Sequence, residues 1–593
     1  MIRFLFVKNR KNGIIFSMSN QGELTKIRHS LAHLLAAAVL ELYQDAKPTI
    51  GPAIDNGFYY DFEFSSPIND TELPKIEKRM REILKTWGQF TPTPVSQEEA
   101  LKIFSDNPYK QELINEINVR EEGLTTYKSG KFIDLCRGGH VDDAGEIKSD
   151  AFKLSRVAGA YWRGDEKNTM LTRIYGLAFK NKEELEKYEL MIEEAKKRDH
   201  KKLGPELDLF MFHHTSPGMP YWLPKGVIFY NELVKFWREE HQKRGYQEIV
   251  SPILNKKELY ITSGHFDHYW SDMFVANMGE GEEYGIKAMN CPNAHVVFGH
   301  KTRSYRDLPL RLSDTDTLHR FERSGTLNGL LRVREFRQDD AHIYVTENQI
   351  ESEYKEVFDI VKRFYSIFGL EYSFRLGTRD PKNFMGDVET WNKAETTLKK
   401  ILEDSGVNFF VLEGDAAFYG PKVDILMKDA LGREWQMGTV QLDFQQPRRF
   451  NLEYTAQDGS KKTPIAIHRV IYGSLERFIG ILIEHVAGAF PVWLSPVQVI
   501  ILPISEKHRE YARAVFSKLK ESGIRAELDD SNETLGKKIR NAKTSKVPYF
   551  LVLGDKEVAS DNVTVEKREG ESEKMSLENF IKKLKEEIAN KGY

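Results

Sequence analysis

Between positions 318 and 344 the chain alternates apolar and charged residues on both sides of one turn-rich break, a pattern few folds accept. The first arm reads Leu318-His319-Arg320-Phe321-Glu322, and a run rich in Gly, Ser and Asn follows. The second arm runs from Leu331-Arg332-Val333-Arg334-Glu335-Phe336-Arg337 to Asp339-Asp340-Ala341-His342 and Tyr344. A period of two bounded by turn residues predicts strand, loop, strand, with arginines meeting across the ladder. Planar guanidiniums held this way suit bidentate contact with phosphate oxygens. A second arginine source lies in 471–480, where Gly473 opens an apolar helix and Arg477 projects from its first turns. Either motif alone fits a solvated surface equally well. Together they point to one anion site.

Cys291, in Met289-Asn290-Cys291-Pro292, is one of only two cysteines in 593 residues. His342 and His468 each lie in a strand-like run beside arginines, and they complete a candidate metal set. One thiolate and two imidazoles leave a fourth position open, the arrangement of a catalytic rather than a structural zinc. The competing reading is a buried thiol acting as a small hydrophobe and two satisfied histidines. The spacing does not separate the two. The adjoining arginine motifs favour the metal.

Bulk properties narrow the class. At about 100–200 residues per domain, the length predicts roughly three to five domains. The 86 basic and 89 acidic side chains leave a net charge of −3, so any nucleic-acid contact must come from local basic stripes. No apolar run approaches the roughly 20 residues needed to span a bilayer. Two cysteines exclude a disulfide framework and predict a cytoplasmic setting.

Three blocks emerge. Residues 1–19 carry no fold information: Arg3, Lys8, Arg10 and Lys11 among apolar residues fit a targeting segment or an upstream start ahead of Met18. Residues 20–180 open with an Ala/Leu-rich helix over 28–43. A charged helical connector covers 181–202, dense in Glu and Lys at i,i+4 spacing. Residues 203–495 mix amphipathic helices with strands such as 409–412 and 423–427. Residues 496–593 alternate strand, helix, strand, helix, strand, which predicts a small sheet covered by helices.

The central block resembles the class II aminoacyl-tRNA synthetases. Arg320-Phe321-Glu322 and Arg332-Val333-Arg334-Glu335-Phe336 match motif 2 of that class, and Gly473 to Arg477 match motif 3. The helix predicted over 227–244 and the strand over 246–252, ending in Pro252, match motif 1. The runs MNCP, SYRDLPLR, QDDAHIY, AFYGPK and GTVQLDF are similar to the threonyl-tRNA synthetase family over almost the whole chain. The resemblance implies an α+β multidomain fold: a class II antiparallel sheet flanked by helices, an α+β editing domain at 20–180 and a C-terminal α/β anticodon-binding domain at 496–593. It implies Zn2+ on Cys291, His342 and His468, and ATP with Mg2+ held by Arg320 and Arg477. Glu322 would read the adenine, and Arg332 would bridge the carboxylate and α-phosphate. Asp340, Tyr419, Lys422 and Gln436 would line the L-threonine pocket. The partners implied are ATP, L-threonine, tRNA(Thr) and a second copy of the chain in a homodimer, with no membrane.

The expected zinc has a physical purpose. An apolar pocket separates valine from threonine by only about 10², whereas a metal gripping amine and hydroxyl together rejects valine. Serine carries both groups and differs by one methyl, worth about 1–3 kcal/mol, so a second, hydrolytic site is expected. His29 and His33 share one helical face at i,i+4, and Cys136 and His140 form the other half. From spacing alone this HxxxH…CxxxH set reads as a second zinc site or as surface histidines; it lacks the Glu of a metalloprotease helix. By resemblance His29, His33, Cys136 and His140, with Lys110 and Asp134, make an editing site working through water and polar groups.

In the last block Lys537, Lys538, Arg540 and Lys543 predict a basic stripe for phosphates, and the resemblance assigns Asn532, Arg540 and Glu557 to anticodon bases. Three departures stand out. The chain has no room for the family's ubiquitin-like N-terminal domain. Glu566 stands where a basic residue is expected, with Arg568 as a substitute. Pro292-Asn293-Ala294-His295 replaces the more usual Pro-Gly-His. The rival readings are a seryl or prolyl enzyme, which would lack the Cys-His-His set, and a non-catalytic RNA-binding paralogue, which would lose the motif arginines.

Overall fold

The computed structural model describes residues 18–119, 123–279 and 281–592; the reading of residues 1–17 lies outside them. The chain forms two compact units, 1–194 and 195–593, and the division falls inside the charged connector, whose helix runs Lys182–Arg198.

In the first unit the helix Met18–Leu42 buries Leu31 to Val39 almost continuously. A helix apolar all round is a core helix, and its alanines let it lie close to its neighbours. It packs against a sheet ordered Lys47–Pro48, Gly57–Glu63, Met170–Ala178, Phe152–Tyr161. Phe58, Tyr60, Phe62, Ile76 and Met80 share its core. A separate antiparallel sheet, Thr91–Pro94, Thr125–Ser129 and Phe132–Leu135, delivers Asp134 and then Cys136.

The second unit is built on a long sheet. Its order is Gln247–Glu248, Leu310–Asp314, Glu335–Val345, Ile465–Ser474, Glu434–Asp443, Lys422–Lys428, Glu371–Gly377, Phe409–Leu412, and Thr317–His319 pairs with Glu335–Val345. The interior is antiparallel as expected, but the strand at each edge joins parallel, so the sheet is mixed. The predicted motif 1 strand shrinks to Gln247–Glu248, while its helix extends over Pro224–Lys243.

Alternation splits this sheet into an oily face and a polar face. Ala341, Ile343, Val345, Val440, Leu442, Ile467 and Ile471 join a core shared with helices Pro224–Lys243, Ile350–Ser366, Val388–Asp404 and Leu475–His485. Asp340, His342, Thr439, Gln441 and His468 therefore project from the opposite side, where a cavity lies. Register aligns them: His342 pairs with His468, and His468 with Gln441.

The C-terminal segment has the sheet order Ala526–Leu528, Val499–Pro503, Tyr549–Leu553, Asn562–Lys567, Ser572–Ser576. The first three strands are parallel, as the βαβαβ pattern predicts; two antiparallel strands complete it.

Candidate active site

The predicted hairpin forms with shorter arms: Thr317–His319 runs antiparallel to Glu335–Val345, and Arg320, Glu322 and Arg332 lie in the connection beyond the paired residues rather than on the ladder. Arg320 packs its guanidinium 5.1 Å from the centre of the Phe336 ring and donates to the Ala288 carbonyl at 3.3 Å. Arg332 donates to Glu322 at 2.9 Å. Arg477, in the first turn of helix Leu475–His485, donates from Nε to the Leu331 carbonyl at 2.9 Å. Burial, together with the positive charges of Arg332 and Arg320, pulls the Arg477 guanidinium below its usual range. Three guanidiniums within each other's field form a place that wants an anion. The Gly473 backbone has φ +74°, and a Cβ there would meet the Met437 carbonyl at 2.1 Å, so only glycine turns the strand into this helix. Buried Asp339 pins the turn by accepting the amides of Ile471 and Gly473.

Next to Arg320 opens a cavity of about 330 Å³ whose wall includes Cys291, Asp340, His342, Tyr419, Gln441 and His468. One donor atom from each of Cys291, His342 and His468 lies within 4.8 Å of the others. All three residues are buried. His468 donates from Nε2 to Asp443 at 2.9 Å, which leaves the other ring nitrogen as a lone pair. Burial and the neighbouring His468, His295 and Arg469 push the His342 imidazole far below its usual range, so it stays neutral. Its Nδ1 is buried without a hydrogen-bond partner among the described residues. Burial and the Asp340 and Asp443 charges push the Cys291 thiol well up. Two imidazoles, one of them with an orphaned buried nitrogen, and a thiol fit a soft divalent metal, whose binding would displace the thiol proton.

Burial raises the Asp340 carboxyl to about 6, against the hydrogen bond it accepts from Asn290 at 3.1 Å. Tyr419 donates to Gln441. Lys422 and Gln436 do not line this cavity. They hold the buried Asp424 beside it, at 3.0 and 2.9 Å, and Thr439 reaches the same carboxylate at 2.8 Å from the cavity wall. The sequence reading missed Gln338, Thr439 and Gln441. Stepping back by two from Asp340, or along the strand from Val440, would have found them. In the departing loop, Asn293 donates to Asn255 at 3.0 Å, and His295 bonds the Tyr344 hydroxyl at 2.9 Å.

The first unit brings all six predicted residues together. His29, His33, Cys136 and His140 place one donor atom each within 4.8 Å. The Cys136 sulfur lies 3.6 Å from His29 and 3.3 Å from His140. Lys110 and Asp134 form a buried ion pair at 2.5 Å, and Tyr60 donates to the same carboxylate at 2.5 Å. Burial lowers all three imidazoles, His140 to about 2, and raises the thiol to about 11. The cluster is therefore uncharged at neutral pH beside one compensated ion pair.

That has a consequence for stability. An unfolded histidine titrates near 6.5, and these fold with depressed values, so the unfolded chain binds more protons below that pH. Their contribution is full above about pH 6.5 and falls as pH drops toward the folded values. Hydrogen-exchange protection of helix Met18–Leu42, corrected for intrinsic rates, is expected to decline from pH 7 to pH 5. A flat profile would contradict it.

The C-terminal predictions scatter. Arg540 and Lys543 line an open groove of about 890 Å³ with Leu203 and Glu206. Lys538 leaves the expected basic stripe: it is buried and donates to the Asp529 carbonyl at 2.9 Å, because its helix turns that face to the sheet. Asn532 is exposed and accepts from Arg509 at 2.5 Å. Glu557 is buried and caps its own helix, accepting the Gly554 amide at 3.0 Å and the Thr564 hydroxyl at 2.8 Å. Arg568 donates to the Phe490 carbonyl at 2.7 Å, which ties down the residue expected to substitute at Glu566.

Residues 269–486 match the tRNA synthetase class II core domain (G, H, P, S and T), and 498–587 match an anticodon binding domain. Residues 124–175 match the threonyl and alanyl tRNA synthetase second additional domain. With the arginine hairpin and arginine helix on one antiparallel-centred sheet, the chain is a class II aminoacyl-tRNA synthetase. Threonine–tRNA ligase of Caldanaerobacter subterraneus is 53% identical over 567 residues, covering 95% of this chain and 87% of the relative. That of Clostridium botulinum is 49% identical over 592 residues, 99% of this chain and 92% of the relative. The chain belongs to the threonine–tRNA ligase family. A solved structure described as the RNA binding domain of threonyl-tRNA synthetase from Cryptosporidium parvum superposes with a TM-score of 0.64 at 42% identity, over 67% of this chain and 98% of that one.

Proposed function

We propose that the chain activates L-threonine with ATP, transfers it to the 3′ end of tRNA(Thr), and hydrolyses seryl-tRNA(Thr) at a second site. One observation carries this reading: a metal-capable Cys-His-His set shares one cavity with Arg320, which stands in the same positive field as Arg332 and Arg477. The threonine carboxylate attacks the α-phosphorus in line and pyrophosphate leaves with Mg2+. Arg320 and Arg477 hold the phosphates, Arg332 steadies the developing charge, and Glu322, which orients Arg332, faces the adenine. Such positioning and charge stabilisation supply most of the rate. Cys291, His342 and His468 would hold zinc, which when bound supplies a Lewis acid toward an amine and a hydroxyl presented together. Asp340 accepts the hydroxyl proton, and Tyr419 and Gln441 close the wall behind the side chain. Lys422 and Gln436 act from the Asp424 cluster.

In the editing site His29, His33, Cys136 and His140 hold water against the ester, and the Lys110–Asp134 pair fixes the polar floor. Residues 20–180 are assigned to editing, 181–202 to the connector, 203–495 to catalysis and 496–593 to anticodon reading, with Asn532, Arg540 and Glu557 toward the bases. Glu557 would have to release its cap to do so. Among the described residues no helix is long and apolar enough to cross a membrane. A homodimer is expected through the motif 1 region, where Val250 (83% exposed), Ile253 and Leu254 offer an apolar face; light scattering at the monomer mass would contradict it.

The deciding experiment is pyrophosphate exchange with threonine, serine and valine, alongside metal analysis. Exchange with serine alone, or full activity without zinc, would sink the reading. Arg477→Ala is expected to lower the exchange rate by roughly 10²-fold, the usual cost of removing one preorganised donor to developing charge. Steady-state exchange kinetics at saturating threonine check it.

A further inference from the structure

His200, just past the connector helix, belongs to none of the motifs above and is almost fully buried. It opens the short helix His200–Glu206. Its Nδ1 donates to Glu484 at 2.6 Å, and its Nε2 accepts the backbone amide of Leu330 at 3.0 Å. The two partners require one neutral tautomer, because a proton on Nε2 would face the Leu330 N–H. Both ends lead to the nucleotide arginines. Leu330 precedes Leu331, whose carbonyl accepts from Arg477, and Arg332. Glu484 lies on the same helix as Arg477 and is held from its other oxygen by Arg433. The fit is tight: a Cβ on Gly329 would come within 2.3 Å of His200 Nε2. Lys201 adds a bond to Asn328 at 3.2 Å.

We propose that His200 is a positioning residue for ATP: it clamps the 328–332 turn to helix Leu475–His485 and so sets Arg332 and Arg477 against each other. This rests on the assignment of those arginines to ATP. The clamp needs an acceptor at the ε position, so glutamine, whose amide oxygen reaches there, should substitute where an isosteric apolar residue cannot.

The test is pyrophosphate exchange by the full-length zinc-loaded enzyme carrying His200→Leu, His200→Gln, Gly329→Ala or Arg477→Ala. Leaving a buried amide unpaired predicts at least about a fivefold rise in the KM for ATP with His200→Leu. The KM for threonine and the zinc content should stay within about twofold, and His200→Gln should recover most of the loss. Gly329→Ala, which displaces the turn while keeping the imidazole, should give the same selective rise, and it decides the matter if His200→Leu does not fold. An equal rise in both KM values, no rise in either variant, or identical effects of Leu and Gln would overturn the proposal. If Arg477→Ala leaves both the exchange rate and the KM for ATP unchanged, the ATP assignment itself fails; if only the His200 and Gly329 variants are silent, the clamp alone fails.

Discussion

Cys291→Ser is expected to strip the metal from the enzyme and with it measurable threonine activation. The substitution is nearly isosteric, so the wall of the cavity keeps its shape. What changes is the donor: Cys291 is the thiol of the set it forms with His342 and His468, and a serine hydroxyl is not deprotonated by a zinc held on two imidazoles as a thiol is. Changes one shell further out typically cost 10–100-fold in metal affinity, on the order of the smallest effect expected here. The nearby carboxylates are poor substitutes: burial pushes Asp340 up to about 6 and Asn290 already engages it, while Asp443 is already held by His468 at 2.9 Å. Metal content per chain and pyrophosphate exchange check the result together. Zinc-free protein that still exchanges with threonine, or zinc-loaded variant with wild-type rates, would refute the metal's part. Threonine-over-valine preference in any residual activity should fall toward the roughly 10² that an apolar pocket supplies.

His29→Ala should let seryl-tRNA(Thr) accumulate while threonine activation stays unchanged. One methyl gives the first site roughly 10–200-fold preference over serine, so an enzyme without its second site should mischarge at about that frequency when the two amino acids are equally abundant. His29 is chosen because it touches Cys136 at 3.6 Å yet is only partly buried, whereas His33 sits under the Lys110–Asp134 pair and its loss would disturb a buried charge. Deacylation of preformed seryl-tRNA(Thr) and mischarging assays read the effect. Unchanged deacylation would count against the assignment. Metal analysis of Cys291→Ser and of a Cys291→Ser, His29→Ala double variant answers a second question: zinc that remains on the first and is lost from the second sits on the four-residue cluster of the first unit, whereas zinc kept by both sits on a His–carboxylate group such as His295, Asp443 and His468.

The elements carrying chemistry were legible because their signals are local. Arg320 and Arg332 flank a Gly-rich connection between two strands whose alternation the sequence shows, and Arg477 stands on a helix opened by a glycine that nothing else can replace. His29 and His33 were readable as one helical face. Less legible was which side chains would be spent internally. Lys538 looks like any solvated lysine in sequence, and only the packing of helix Leu535–Thr544 on its sheet turns it inward to the Asp529 carbonyl. Glu557 is a capping residue by position and a base-reader only by resemblance. Lys422 and Gln436 lie on the strands flanking the cavity, but the buried Asp424 draws both away from its wall.

By itself, the sequence determined which residue types are available for chemistry: two arginine motifs, a Cys-His-His set, a second histidine-rich cluster, and the alternation that puts oily residues on one side of each strand. Periodicity and residue type are properties of neighbours in the chain, so they survive without a fold. Only the tertiary structure decided that Cys291, His342 and His468 meet. That depends on strand register, which pairs His342 with His468 and His468 with Gln441 across three strands distant in sequence. A slip of one residue would turn every one of those side chains to the opposite face. It also decided that His200 closes on Leu330, 130 positions away, because a buried amide must find an acceptor and only packing chooses which one.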